Sequence, residues 1–130
     1  MEDNLSEEST MTDTITDLME ANLLGVFDER DPQRRAAAIA ATYSAQVQWI
    51  DDEGVATGHD ELNAKAAELQ EKLRGLHFVK AGPVRQTRGL GFLAWEVRTP
   101  DEVAVASGFD VAEIADERII RMWTVLNPPE

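Results

Sequence analysis

The stretch that most restricts what this chain can become is GFDVAEIADERIIRMWTVLN, Gly108 to Asn127. Phe109, Val111 and Glu113 alternate with Asp110, Ala112 and Ile114, the period of a half-buried strand, and Arg118 to Leu126 is rich in β-branched and large apolar side chains. One carboxylate, Asp110, stands among them. If Asp116 and Glu117 are the two central residues of a turn, Ala115 pairs with Arg118, and counting outward sets Asp110 opposite Trp123 with Arg121 diagonal on the same face. That register brings together an acid, an aromatic wall and a cation. A loop one residue longer would carry Arg121 and Trp123 to the other face, and the turn lacks the glycine that a type I′ hairpin prefers. In the plainer reading, Asp110 is a strand aspartate satisfied by Arg121 or by backbone donors.

Upstream, Ile15, Leu18, Met19, Leu23, Val26 and Phe27 recur at helical spacing, with Thr12 or Asp13 suited to cap a helix that runs to about Glu29. Asn22 falls on its apolar face, where an amide needs a partner or a ligand. Asp31 and Pro32 close this helix and open a second, Pro32 to Thr42. Tyr43 to Asp52 then alternates as a strand, the Asp51-Asp52-Glu53-Gly54 run reads as a turn, and Val55 to Thr57 adds a short extended piece. A third helix is expected from Asp60 to Arg74, with Leu62, Ala66, Leu69 and Leu73 as its apolar stripe and His59 as a surface residue at its start. Strands are expected over 76–87, 90–99, 103–115 and 118–126. Helices folded against one largely antiparallel sheet make an α+β arrangement with room for a pocket between the layers.

Composition removes several kinds of function. Lys and Arg number 12 against 25 Asp and Glu, a formal net charge of -13, so phosphate backbones and anionic membrane surfaces are repelled and neither nucleic acid nor membrane is an expected partner. The chain has no cysteine, and His59 and His77 lack metal-like spacing, so no metal site is expected. No apolar run approaches the roughly 18 residues of a transmembrane helix, and the start MEDNLSEEST is acidic, unlike a signal peptide, which points to the cytoplasm. Residues 1–12 are polar and without period, an expected disordered segment, and Met11 offers a second start; residues 13–127 then form one domain.

The element order, the run Trp49-Ile50-Asp51-Asp52-Glu53-Gly54 with Gly58 ahead of a helix, and the closing pattern Phe109-Asp110-Val111-Ala112-Glu113-Ile114 resemble the SnoaL-like branch of the nuclear transport factor 2-like superfamily, which also holds ketosteroid isomerase. The resemblance implies a cone-shaped fold, three N-terminal helices packed on a curved, mainly antiparallel sheet, that encloses a pocket for a small apolar molecule. It also implies a homodimer formed through the exposed sheet face. Asp51 matches the general-base aspartate of the ketosteroid isomerase branch, and Asp110 the strand aspartate kept protonated to donate to an oxyanion. The chain departs from that branch at helix 1, where the tyrosine is replaced by about Asn22 or Leu23. Two readings stand side by side. In one, an isomerase, cyclase or dehydratase type of enzyme without a cofactor, Asp51 is the base that takes a proton next to the carbonyl of a small apolar compound, such as a polyketide or steroid-like ring, and Asp110, held neutral by burial, is the acid that donates to the enolate, in a pocket lined by Asn22, Tyr43, Trp49, Trp95, Arg121 and Trp123. In the other, the same fold is a non-catalytic binding or dimerisation module.

Overall fold

The computed structural model describes residues 14–128, so the expected disordered segment 1–12 lies outside the described residues. Helix α1 covers residues 14–27 and changes winding part-way. Over Ala21–Phe27 it is a π-helix, closed by the Asp28 N–H bonding the Leu23 carbonyl five residues back at 3.1 Å. In an α-helix residues five apart face different ways; the wider winding sets both Asn22 and Phe27 on the buried side with Leu23 and Val26.

Helix α2, Pro32–Thr42, begins where Asp31 Oδ1 accepts the Gln33 N–H at 2.9 Å, and Pro32 stands at the position whose N–H has no helical partner. Strand β1, Tyr43–Asp51, follows without a loop and turns back into β2, Gly54–Thr57. Asp51 makes that turn itself, its Oδ1 accepting from the Glu53 N–H at 2.9 Å and the Gly54 N–H at 3.1 Å. Helix α3, Gly58–Lys72, comes only then, so the helices are not three N-terminal ones: a hairpin separates the second from the third.

The remaining strands are β3 (His77–Lys80), β4 (Arg85–Thr87), β5 (Leu90–Arg98), β6 (Ala104–Ala115) and β7 (Arg118–Leu126). The expected single strand over 76–87 is divided because Gly82 and Pro83 interrupt it, and proline has no N–H for a ladder. The strands form one sheet in the order β2-β1-β7-β6-β5-β3, with β4 also paired to β5; β1 runs parallel to β7 and every other pairing is antiparallel. The helices cover one face, and the core lies between, built on Met19, Leu23, Val26, Val47, Leu62, Leu93 and Met122.

The β6–β7 hairpin decides what faces that core. Asp116 and Glu117 both have positive φ, 53° and 60°, making a two-residue turn of the I′ kind without glycine, and Ala115 pairs with Arg118. Ile114 then pairs with Ile119 but Glu113 with Arg121, leaving Ile120 as the extra residue of a β-bulge. The bulge lets Ile119 and Met122, three apart in sequence, both bury completely. It also corrects the expected register: Asp110 lies opposite Thr124, while Trp123 pairs with Val111 on the other face.

Candidate active site

Asp110 is 3% exposed and receives hydrogen bonds from three elements. Asn22 Nδ2 of α1 donates to Oδ2 at 3.0 Å, Trp95 Nε1 of β5 to Oδ1 at 3.1 Å, and Thr124 Oγ1 of β7 to Oδ1 at 2.8 Å. Behind Asn22, the Tyr43 hydroxyl donates to its side-chain carbonyl, which fixes the amide with its NH₂ toward Asp110. Burial raises the Asp110 carboxyl from its ordinary 3.8 to about 6, against the lowering pull of the Thr124, Trp95 and Asn22 donors. Burial, and then the charge of Asp110, push the Tyr43 hydroxyl well above its usual value, so Tyr43 stays neutral and donates.

Local structure holds each of these groups. Trp95 can lie across β6 because Gly108 has no side chain; a Cβ there would stand 2.6 Å from the indole ring and 2.4 Å from the Val125 carbonyl oxygen. Asn22 is held by the π-helical segment, whose carbonyl groups at Val26 and Phe27 are met by Gln70 Nε2 of α3 at 3.2 and 3.0 Å. Arg35 Nη1 in turn bonds Gln70 Oε1 at 2.8 Å. His59 is no plain surface residue: its Nε2 lies 3.0 Å from both the Tyr43 and the Ser44 carbonyl oxygens, where the pairing of β1 with β7 is irregular.

Asp110 lies at the floor of a cavity of about 250 Å³ walled by apolar side chains, among them Leu23, Phe27, Leu69, Phe78 and Trp95. Asp51, Asp52 and Glu53 form part of its rim, and Trp49 and Asp51 also line an adjoining groove of about 380 Å³ beside α3. Trp49 stacks on Phe27 with ring centroids 5.2 Å apart.

Of the residues the sequence brings forward, Asn22, Tyr43, Trp95 and Asp110 are joined in one hydrogen-bond chain, although Asn22 and Tyr43 lie behind the cavity wall and do not line it. Asp51 shares the cavity with Asp110 but stands at the rim, with Oδ1 engaged by the turn and Oδ2 3.6 Å from Lys65 Nζ. Arg121 and Trp123 are not in the site. The bulge turns them outward, where Arg121 pairs with Glu113 at 2.9 Å and stands 5.8 Å from the centre of the Trp123 ring. Neither Arg121 nor the backbone satisfies Asp110; side chains from three elements do. Thr124, absent from the expected set, replaces them, and only the position of the bulge could have revealed it. Among the described residues no group of three or more His, Cys, Asp or Glu is placed to hold a metal ion, and no helix is long and apolar enough to cross a membrane.

No protein-family model and no curated protein matches this chain. Solved structures do. A candidate isomerase of the SnoaL-like family from Agrobacterium tumefaciens superposes with a TM-score of 0.81 at 22% identity, over 88% of this chain and 98% of that one. A candidate SnoaL-like polyketide cyclase from Jannaschia gives 0.69 at 15% identity, over 88% and 84%. TerC, co-crystallised with polyporic acid, gives 0.67 at 15% identity, over 88% and 92%. At these identities the likeness establishes the fold, and this chain has the SnoaL-like, nuclear transport factor 2-like fold.

Proposed function

We propose that this protein catalyses proton transfer on a small apolar ketone bound in the Asp110 cavity, with Asp110 as the base that takes a proton from the carbon next to the carbonyl and returns it elsewhere on the molecule. The observation that carries this reading is a nearly fully buried carboxylate, raised to about 6, at the floor of an apolar cavity. At neutral pH such a group is mainly ionised, yet its value lies close enough to the working pH to hold and release a proton. Donors on both oxygens aim the carboxylate without supplying it with a proton. We assign the transfer to Asp110 rather than Asp51, because the Asp51 carboxylate already serves two backbone N–H groups at the β1–β2 turn. The isomerase and cyclase descriptions of two of the similar structures fit chemistry of this kind.

Deuterium exchange tests the reading without knowledge of the physiological substrate. In D₂O the protein should speed loss of the α-proton signals of 1-tetralone, a two-ring ketone, and the rate should rise with pH around an apparent pKa of about 6. Asp110→Asn should remove the protein-catalysed part. Exchange at the wild-type rate in that variant would sink the assignment.

One observation favours a second reading. Because its three donors come from α1, β5 and β7, Asp110 also ties three elements together, as a purely structural aspartate would. A binding module of the same fold would bind the ketone with no exchange above background. Under either reading we propose that two copies pair through the sheet face opposite the helices, where Phe92, Phe109, Val111, Trp123 and Val125 share one side.

A further inference from the structure

Asp110 and Arg35 are the buried charged side chains among the described residues, and they differ in how that charge can be met. A carboxylate can take up a proton, but a guanidinium cannot lose one, so a buried arginine calls for compensating negative charge. Arg35, 6% exposed in α2, makes no ion pair among the described residues. Its Nε donates to Asn63 Oδ1 at 2.7 Å, and its Nη1 to the Glu29 carbonyl at 3.2 Å and Gln70 Oε1 at 2.8 Å, all neutral acceptors. The carboxylates just ahead of it in the chain are engaged elsewhere: Glu29 by Arg34 Nε at 2.9 Å, and Asp31 by the Gln33 N–H at 2.9 Å and Arg34 Nη1 at 3.6 Å. Arg35 Nη2 makes no hydrogen bond. It is not enclosed either, because among the described residues Trp49 Nε1 is the side-chain nitrogen or oxygen that is both shut off from solvent and unpaired.

Arg35 lines a groove of about 560 Å³ where the start of α2 meets the end of α3, together with Arg30, Gln70, Glu71, Arg74 and Leu76. Arg30 donates from Nη1 to the Gln70 carbonyl at 3.2 Å and from Nη2 to the Leu76 carbonyl at 2.7 Å, which covers two oxygens that would otherwise repel an anion. Three guanidinium groups thus face one lining carboxylate, Glu71, which is bonded to Arg74; outside the lining, Asp28 stands 3.6 Å from Arg30. The groove beside Trp49 has the opposite sign, with Asp51, Glu53, Glu61 and Glu68 against Lys65. The cationic groove is therefore a local feature of a chain whose formal net charge is -13. That net charge repels extended polyanions, but one small anion responds chiefly to the charges within a Debye length, about 10 Å.

We infer that this groove binds the phosphate group of a small organic phosphate monoester, with Arg35 Nη2 as the inner donor and Arg74 as the outer one. The excess of two positive charges in the lining matches a phosphate dianion, and the planar guanidinium fork matches its oxygens. The groove has the volume of a small-molecule site rather than of a single ion, and Ala67 and Leu76 offer apolar surface to the organic part. It shares no lining residue with the Asp110 cavity, so the inference stands apart from proton transfer there.

Titration calorimetry of the full chain at constant ionic strength and about pH 7.5, where phosphate is mainly a dianion, tests it with phenyl phosphate, inorganic phosphate and benzoate. Phenyl phosphate should bind with a Kd of about 1 mM or below, and inorganic phosphate roughly threefold to tenfold more weakly because it leaves the apolar surface uncovered. Benzoate, with one charge and two oxygens, should bind at least about tenfold more weakly than phenyl phosphate. Arg35→Gln, which keeps a donor and removes the charge, should weaken phenyl phosphate by about tenfold or more. Arg74 has a side chain 77% exposed, so Arg74→Gln should leave the fold intact and weaken phenyl phosphate by about threefold. Should Arg35→Gln fail to fold, the wild-type protein answers in its place: phenyl phosphate should shift the Gln70 side-chain amide and Gly75 backbone N–H resonances. No binding of either phosphate below about 20 mM, or unchanged affinity in Arg74→Gln with those resonances unmoved, overturns the site. Benzoate binding as tight as phenyl phosphate overturns the choice of phosphate, and equal affinity for the two phosphates overturns the monoester in favour of the free ion.

Discussion

Asp110 carries two opposed effects in one side chain, and their balance can be measured. Burial raises its carboxyl to about 6 from 3.8, so the folded protein holds a proton between those values that the unfolded chain has already released. The contribution to stability is therefore fully present below about pH 4 and is lost as the pH rises through about 6. The shift corresponds to about 3 kcal/mol. Asp110→Asn cannot titrate, so the stability of wild type minus variant, from urea midpoints at pH 4, 5, 6 and 7, should fall by about that amount across the range. A flat difference would mean that the carboxyl is not raised. Tyr43 is a positioning residue one step removed. Tyr43→Phe leaves the buried Asn22 carbonyl without its donor, at a cost of about 1–3 kcal/mol, and frees the amide to turn its NH₂ away from Asp110. Carbon-13 titration of Asp110 in that variant should give a midpoint above the wild-type value, because a donor that lowers it has been weakened; an unmoved midpoint would show that Asn22 holds its orientation without Tyr43. Asn22 was legible in the sequence, since an amide on an apolar helix face must find a partner. Thr124 was not, because a threonine in an apolar strand carries no mark of the face it occupies.

At the scale of elements, periodicity placed the helices and strands, and local chemistry placed their ends. Asp31 and Pro32 are plain in the sequence as the start of α2, and the two-residue turn at Asp116-Glu117 follows from the strand lengths on either side. What alternation could not convey is a change of period inside an element. The apolar positions of α1 read equally well as an uninterrupted α-helix, and the β7 bulge exists because Ile119 and Met122 both bury, a demand made by the opposite layer. Two substitutions probe these joints. Glu117 at φ 60° is strained where glycine is not, so Glu117→Gly should raise stability by about 0.5–1 kcal/mol in urea melts, and a loss of stability would show that the Glu117 side chain contributes more than its backbone costs. Gly108→Ala should act the other way. Its Cβ would press on the Val125 carbonyl and the Trp95 ring, neither of which can yield without disturbing the ladder or the Asp110 bond. Destabilisation of about 1–3 kcal/mol is expected, with a shifted Trp95 indole N–H resonance. Wild-type stability with an unchanged resonance would show that β6 and β7 can separate locally at no cost.

Among the described residues, one face of the sheet is covered by helices and the other is bare. Pairing register puts Ile50 beside Trp123, Trp123 beside Val111, Val111 beside Phe92 and Phe109 beside Val125, and residues so paired share a side. The Phe92 and Phe109 rings stand 5.5 Å apart on it, and Val125 is 41% exposed. An apolar sheet face of this kind is costly in water, which favours a second copy laid against it. Net charge opposes that. Each copy carries a formal -13, so two copies repel until salt screens them, and association should tighten as ionic strength rises, the reverse of a contact held by ion pairs. Sedimentation equilibrium should therefore show a dimer at 0.3 M NaCl with a larger monomer fraction at 0.02 M. Val125→Glu places a new carboxylate on the face of each copy at a position already open to water, so the fold should hold while dimerisation weakens by roughly tenfold or more. A monomer at high salt and high concentration would assign the bare face to some other neighbour. A dimer indifferent to Val125→Glu would place the contact elsewhere on the surface, and the apolar stripe from Ile50 to Phe92 would then need its own explanation.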